Sequence, residues 1–289
     1  MSIDIKRDEI TVNGITYDVS EESVSDYGTT HYIIEHDGEN VFPGLSGHLG
    51  HEVDGGAEFN PREHNNLGVL AVHYPRYDLG DEDISKIDFE VECKNCDSNG
   101  TVAGNPDEGE ADEVDCTVCA GNGYYTLDPA VYFKAERGAR VVIGLFVYEH
   151  SGITMSAGPR VGDFLKKDDI RSTDRFVGDS QGWDTSFVGF IFDEPEKIKT
   201  CFGDNATDEQ IEYALRQEVK TYAAYLEGDI TWYSVDDDES DFQDGCCGFV
   251  GDFNYCYKSL LESLEAAITK RLAEQDERAH WAARDVETV

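Results

Sequence analysis

Two eight-residue segments carry the clearest chemistry in this sequence. Cys93-Lys94-Asn95-Cys96-Asp97-Ser98-Asn99-Gly100 and Cys116-Thr117-Val118-Cys119-Ala120-Gly121-Asn122-Gly123 share one plan, a Cys-x-x-Cys pair followed by a turn that ends in glycine. Nineteen residues, many of them acidic, separate the pairs. Four thiolates spaced in this way close a tetrahedron around one zinc ion and leave no position for water or substrate. Cys93, Cys96, Cys116 and Cys119 are therefore expected to hold a single structural Zn2+. The glycines let the backbone turn under the ion, where a Cβ would crowd the approach of amide N–H groups to sulfur.

A second group of residues has the types that acid–base chemistry needs. His150 and Ser151 follow a strand-like run, Asp184, Glu63 and Asp81 offer carboxylates to orient an imidazole, and Arg62 or Arg76 would receive an anion. The sequence contains neither Gly-x-Ser-x-Gly, nor a phosphate-binding Gly-x4-Gly-Lys-Ser/Thr, nor His-Glu-x-x-His. The plainer expectation is that His150 caps a strand and Trp183 belongs to a core. Cys201, Cys246, Cys247 and Cys256 are likewise expected as small buried residues rather than nucleophiles. His36, His48, His51 and His64 fall in a stretch rich in Gly, Asp and Pro. The spacing of His48, His51 and Asp54 is not that of a metal site, so these are expected as solvated loop histidines.

The elements that must position these groups follow from hydrophobic period and turn residues. Residues 9–19 alternate around Asn13-Gly14 and predict a hairpin. His31-Tyr32-Ile33-Ile34 predicts the next strand, and residues 35–63 a long loop. Further strands are expected at Leu67 to Tyr74, Ile87 to Glu92, Val141 to Tyr148, Phe187 to Phe192 and Ile230 to Val235. The cysteine segments would hang between the strand ending at Glu92 and Tyr124-Tyr125-Thr126-Leu127. Thr207-Asp208-Glu209-Gln210 is a capping box for a helix that buries Ile211, Leu215, Val219, Tyr222 and Leu226 and stops at Gly228. The acidic run 236–244 reads as an exposed loop. A long helix then runs from Tyr257 to about Asp285, with Leu260, Leu261, Leu264, Ile268 and Leu272 on one face. The expected class is α+β: one domain over 1–289, a mainly antiparallel sheet, two principal helices in the C-terminal half, and an inserted zinc-knuckle subdomain at 93–123.

Composition bounds the setting. The chain has 289 residues, 39% of them apolar and 11% aromatic, enough for a substantial core. Its formal charge is -38, from 61 acidic and 23 basic residues spread along its length. A cytoplasm filled with molar salt tolerates such a surface, because screening there acts over only about 3 Å. Mimicry of nucleic acid, with carboxylates in the places of phosphates, is the alternative cause. Direct binding to nucleic acid is disfavoured, since the few cations are not massed. No cationic-then-apolar leader or long apolar run is visible, so the expected location is the cytoplasm, the host's if the protein is viral, with no membrane contact.

Two resemblances extend this reading. The cysteine segments are similar to the Cys-x-x-Cys-x-Gly-x-Gly knuckles of DnaJ-type chaperones, with two repeats instead of four, Ser98 in place of a glycine and no histidine-proline-aspartate motif. A longer resemblance rests on Pro61-Arg62-Glu63 with Asn66-Leu67-Gly68, on Arg76-Tyr77-Asp78-Leu79-Gly80-Asp81, and on His150-Ser151-Gly152-Ile153-Thr154-Met155. Trp183-Asp184 with Val188-Gly189-Phe190-Ile191, and Leu215-Arg216, Glu218-Val219, Tyr222, Tyr225-Leu226, Gly228-Asp229, Cys246 and Gly248-Phe249 complete it. In these motifs the chain resembles a family of uncharacterised phage and mobile-element proteins. Members often carry His at the place of Tyr74 and Trp at the place of Cys247, and commonly lack the cysteine insertion. The resemblance implies a viral or mobile-element context and no particular reaction. The combined expectation is a zinc-stabilised accessory or binding protein of a halophilic archaeon or its virus, with a protein partner. The alternatives are a hydrolase or nuclease centred on His150, and an acidic DNA mimic directed against host defence.

Overall fold

The computed structural model describes residues 8–25, 28–52, 57–104, 113–160 and 184–287. In chain order the strands are β1 (Asp8–Val12), β2 (Ile15–Val24), β3 (Thr30–His36), β4 (Glu39–Asn40), β5 (Leu45–His51), β6 (Gly68–Val72), β7 (Glu82–Asp83) and β8 (Glu90–Glu92). They continue with β9 (Thr101–Ala103), β10 (Glu113–Asp115), β11 (Tyr124–Thr126), β12 (Val142–Glu149), β13 (Ile153–Arg160), β14 (Thr185–Asp193), β15 (Ile230–Asp237) and β16 (Phe242–Val250). The helices are α1 (Pro129–Glu136), α2 (Pro195–Phe202), α3 (Asp208–Leu226) and α4 (Phe253–Glu287). Pairing is antiparallel throughout except between β6 and β7, and the chain is α+β. It forms two compact units, one from Met1–Glu63 with Ala224–Val289 and one from His64–Ala223.

The first unit is a seven-stranded sheet in the order β1-β2-β3-β5-β15-β16, with β4 added to β3. Asn13 and Gly14 have φ of 52° and 83°, the left-handed pair that a two-residue hairpin turn between β1 and β2 requires. One face of the sheet buries Ile10, Tyr17, Tyr32, Leu49, Tyr233 and Val235 under α4. The helix answers with Cys256, Leu260, Leu264, Ala267 and Ile268, a stripe at helical spacing. Gly47 permits the close fit, since a Cβ there would lie 3.0 Å from Leu260 Cδ1. The helix starts at Phe253, one turn before the predicted Tyr257.

Residues 35–63 are not a long loop. β5 runs through their middle, between β3 and β15. Its inward residues are Leu45, Gly47 and Leu49, so a small residue stands where the alternating pattern needed a large one. The acidic run is likewise a hairpin turn rather than a solvated loop. β15 continues to Asp237, which is buried, and β16 begins at Phe242.

The second unit is a five-stranded sheet in the order β13-β12-β14-β6-β7. Every residue of β6 is buried, as expected for a strand covered on both faces. Val69 and Ala71 pack with Phe133 of α1. Gly68, facing the other way, lies under Leu215 of α3, where a Cβ would come within 2.5 Å of Leu215 Cδ2. The capping box of α3 is formed as predicted: Gln210 N–H donates to Thr207 Oγ1 at 3.3 Å, and Thr207 N–H to Gln210 Oε1 at 2.9 Å. Glu218 of the same helix accepts the backbone N–H groups of Leu67, at 2.5 Å, and Gly68, at 3.2 Å. Helix and strand are thereby fixed in register. Among the described residues no helix is long and apolar enough to cross a membrane.

Candidate metal centre and polar cluster

The cysteine module is built from two short ribbons with the knuckles between them. β8 pairs with β11, β9 pairs with β10, and each knuckle joins a strand of one ribbon to a strand of the other. The two knuckles close each other: Cys93 N–H donates to Gly123 O at 2.8 Å, and Cys116 N–H to Gly100 O at 2.8 Å. The glycines ending the turns are obligatory. Gly100 and Gly123 have φ of 81° and 78°, and a Cβ on them would fall 2.2 Å from Gly121 O and 2.3 Å from Ser98 O. Ser98 takes the left-handed position that Gly121 takes in the second copy, with φ of 64° against 83°. That local strain marks the one departure from the repeated plan.

All four cysteines are buried, and their sulfurs lie within 4.8 Å of one another. Cys93 Sγ is 3.7 Å from Cys116 Sγ, and Cys96 Sγ is 3.7 Å from Cys119 Sγ. Four sulfurs about 2.3 Å from one ion at tetrahedral angles stand about 3.8 Å apart, whereas a disulfide needs about 2.05 Å. The cluster thus has the size of a metal site. Donors already point at the sulfurs: Gly100 N–H lies 3.3 Å from Cys96 Sγ and Gly123 N–H 3.2 Å from Cys119 Sγ. Asn95 Nδ2 donates to Cys116 Sγ at 3.2 Å, and with nearby backbone N–H groups it brings that thiol down to about 6. Burial pushes Cys96 up to about 11, against the pull of the Gly100 N–H. The set has one sulfur, that of Cys116, ready to ionise and one, that of Cys96, that needs a cation to do so.

The remaining thiols divide differently from expectation. Cys256 is buried, but Cys201, Cys246 and Cys247 are exposed. Cys201 lies in the last turn of α2, and Cys246 and Cys247 lie on β16, the outermost strand of its sheet, whose residues 243–247 are exposed.

The residues proposed for acid–base chemistry are only partly brought together. His150, just after β12, places Nδ1 3.0 Å from Oδ2 of Asp184, and its ring stacks on Tyr148. Ser151 is exposed in the turn to β13 and makes no hydrogen bond to His150. Asp81 is committed elsewhere: its Oδ2 accepts Leu70 N–H at 2.8 Å and so ties the loop before β7 to β6. Glu63 is an exposed residue of the first unit, at the end of a single 3-10 turn that begins at Pro61. Trp183 and Asp54 lie outside the described residues.

The centre of the polar cluster is a residue that the sequence reading passed over. Glu149, next to His150, accepts Tyr74 Oη at 2.5 Å, Arg76 Nη1 at 3.0 Å and Tyr77 Oη at 3.4 Å. The Tyr74 hydroxyl, then Arg76, hold the Glu149 carboxyl below its usual range, and Glu149 in turn raises the Tyr74 phenol. Arg76 is therefore engaged and is not a free anion receptor. His73, the neighbour of Tyr74, takes no part in this contact; its Nδ1 lies 3.1 Å from Asp83 Oδ1. A cavity of about 330 Å³ opens among residues 72–83, beside Tyr74 and Tyr77. The signal available in sequence was the density of Tyr and Arg between Tyr74 and Tyr77. No family model, curated protein or solved structure matches the chain.

Proposed function

We propose that this protein is a zinc-stabilised accessory or binding protein of a halophilic archaeon or its virus, acting on a protein partner in the cytoplasm. The observation that carries the reading is the buried four-sulfur cluster, whose size matches a tetrahedral Zn–S4 centre and whose knuckles close each other. One structural Zn2+ held by Cys93, Cys96, Cys116 and Cys119 supplies cross-linking and no open coordination position. The net charge of -38 supports a high-salt setting. The resemblance of its motifs to those of phage and mobile-element proteins supports the viral context. The test is metal analysis of reduced, untagged protein beside Cys93→Ser, with affinity capture from a high-salt lysate. One zinc per chain, lost in the variant, and one partner recovered at near-stoichiometric yield are expected. A metal-free wild type would sink the zinc reading, and recovery of nucleic acid would overturn the choice of partner.

The His150–Asp184 hydrogen bond favours a second reading, a hydrolase or nuclease in which His150 is the general base and Asp184 orients it. In that reading Nε2 takes the proton of an attacking water. His150→Ala would then abolish turnover of an ester or phosphodiester probe while leaving the thermal midpoint unchanged. Equal turnover in the variant refutes it.

A further inference from the structure

We propose that His31 and His48 form a second metal site, of the open kind, on the face of the seven-stranded sheet turned away from α4. β3 and β5 pair so that His31 and His48 stand directly opposite each other. Tyr32 and Leu49, their chain neighbours, point into the α4 core, so both imidazoles project from the other face. Their ring centres are 4.5 Å apart with the planes at 86°. An ion about 2.1 Å from a ring nitrogen lies about 3.2 Å from that ring's centre, so two imidazoles ligating one ion have centres about 4.5 Å apart at the 90° angle of square-planar Ni2+ and about 5.2 Å apart at the tetrahedral angle of Zn2+. The observed separation, 4.5 Å, lets the two rings reach one ion from this arrangement.

The surroundings fit the same assignment. Ser46 Oγ lies 3.2 Å from His48 Nε2, the kind of polar partner that fixes the ring of a ligating histidine. Among the described residues no hydrogen bond holds the His31 ring, which is free to turn toward an ion. Asp236 pairs with Ser46 across β15 and β5, bringing a carboxylate to this face and favouring a cation. Gly50 keeps the neighbouring surface open to an aromatic side chain: a Cβ there would lie 2.7 Å from the Trp232 indole, which lies across β5. Two imidazoles suit a borderline divalent ion such as Zn2+ or Ni2+. With two protein ligands such an ion keeps water in its other positions, unlike one closed in by four cysteines.

The test uses the untagged full chain carrying one zinc per chain, with excess zinc removed, in molar KCl and titrated with Ni2+ by calorimetry. Wild type is expected to take one Ni2+ beyond its structural ion, with micromolar affinity. That affinity falls at least tenfold in His31→Gln and in His48→Gln and stays unchanged in the bystander variant His64→Gln. Wild type taking no extra ion, or both sheet variants binding as wild type does, overturns the proposal. Imidazole proton NMR of the wild type alone gives an answer independent of any variant's folding. Substoichiometric Ni2+ should broaden two histidine signals first, those assigned to His31 and His48, and broadening led by other histidines would also overturn the site.

Discussion

The cysteine module and the first unit solve the same problem with different materials. Under α4, large side chains from five strands are removed from water, and burial of each contributes on the order of 1.5–3 kcal/mol. Between β8 and β11 there is little to bury. Among the described residues Val102 is the one apolar side chain packed on the four cysteines, and Tyr124, Tyr125 and Val118 are exposed. Its order comes from backbone hydrogen bonds, three glycines at positive φ and sulfurs gathered at metal-site distances. A region without a core would depend on the one ion its four sulfurs can hold, while a region with a core distributes its stability over many side chains. The two should therefore fail separately.

Metal removal tests that separation with the largest effect. Structural zinc sites bind with about 10–16 kcal/mol at neutral pH, and that energy is also folding energy. In Cys93→Ser, or after chelation, amides of residues 90–104 and 113–126 should lose protection from hydrogen exchange while those of β15 and α4 keep it. Loss of protection in both would break the comparison. The first unit has its own vulnerable point in Arg271, which is 3% exposed and donates to Asp237 Oδ1 at 3.2 Å and Pro43 O at 2.9 Å. Arg271→Ala leaves the Asp237 carboxylate buried without its cation, and urea unfolding should show a loss of about 3–5 kcal/mol. Bound zinc should stay at the wild-type level.

Smaller effects sharpen the picture in the second unit. Asp193 is fully buried; its Oδ1 accepts the N–H groups of Arg140, at 2.8 Å, and Val141, at 2.6 Å, while Oδ2 has no partner. Burial raises its carboxyl above the usual range. The folded chain then holds a proton that the unfolded chain has released, so stability is lost as pH rises from about 4 through the folded value. Asp193→Asn removes that slope. Its urea midpoint relative to wild type should improve between pH 4.5 and pH 7.5, and a constant difference would refute the assignment. Least of all, Thr207→Ala removes one half of the α3 capping box and should cost about 1 kcal/mol by thermal unfolding.

The parts legible in the sequence were those encoded locally. The capping box at Thr207, the Asn13-Gly14 turn and the paired cysteines each depend on residues a few positions apart, and each is formed. β5 was hidden because Gly47 replaces an apolar residue to admit Leu260, a requirement set by a helix more than two hundred residues away. Asp237 could not be told from its acidic neighbours, since only Arg271 distinguishes it. Short helices α1 and α2, eight residues each, are too brief for a periodic pattern to stand out. Of the three carboxylates named for His150, Asp184 lies within hydrogen-bond reach of it. Glu149 was missed, because its three partners come from a loop more than seventy residues earlier in the chain.

The reciprocal closure of the knuckles has an engineering consequence. The module begins at Glu90 and ends at Thr126 on two strands that pair with each other, so its entry and exit lie side by side. To its host it is only the tip of a hairpin. A segment with adjacent ends is portable: residues 90–126 could be spliced into the turn of an unrelated β-hairpin without altering the recipient's register, and a metal ion held by the four sulfurs would close it there.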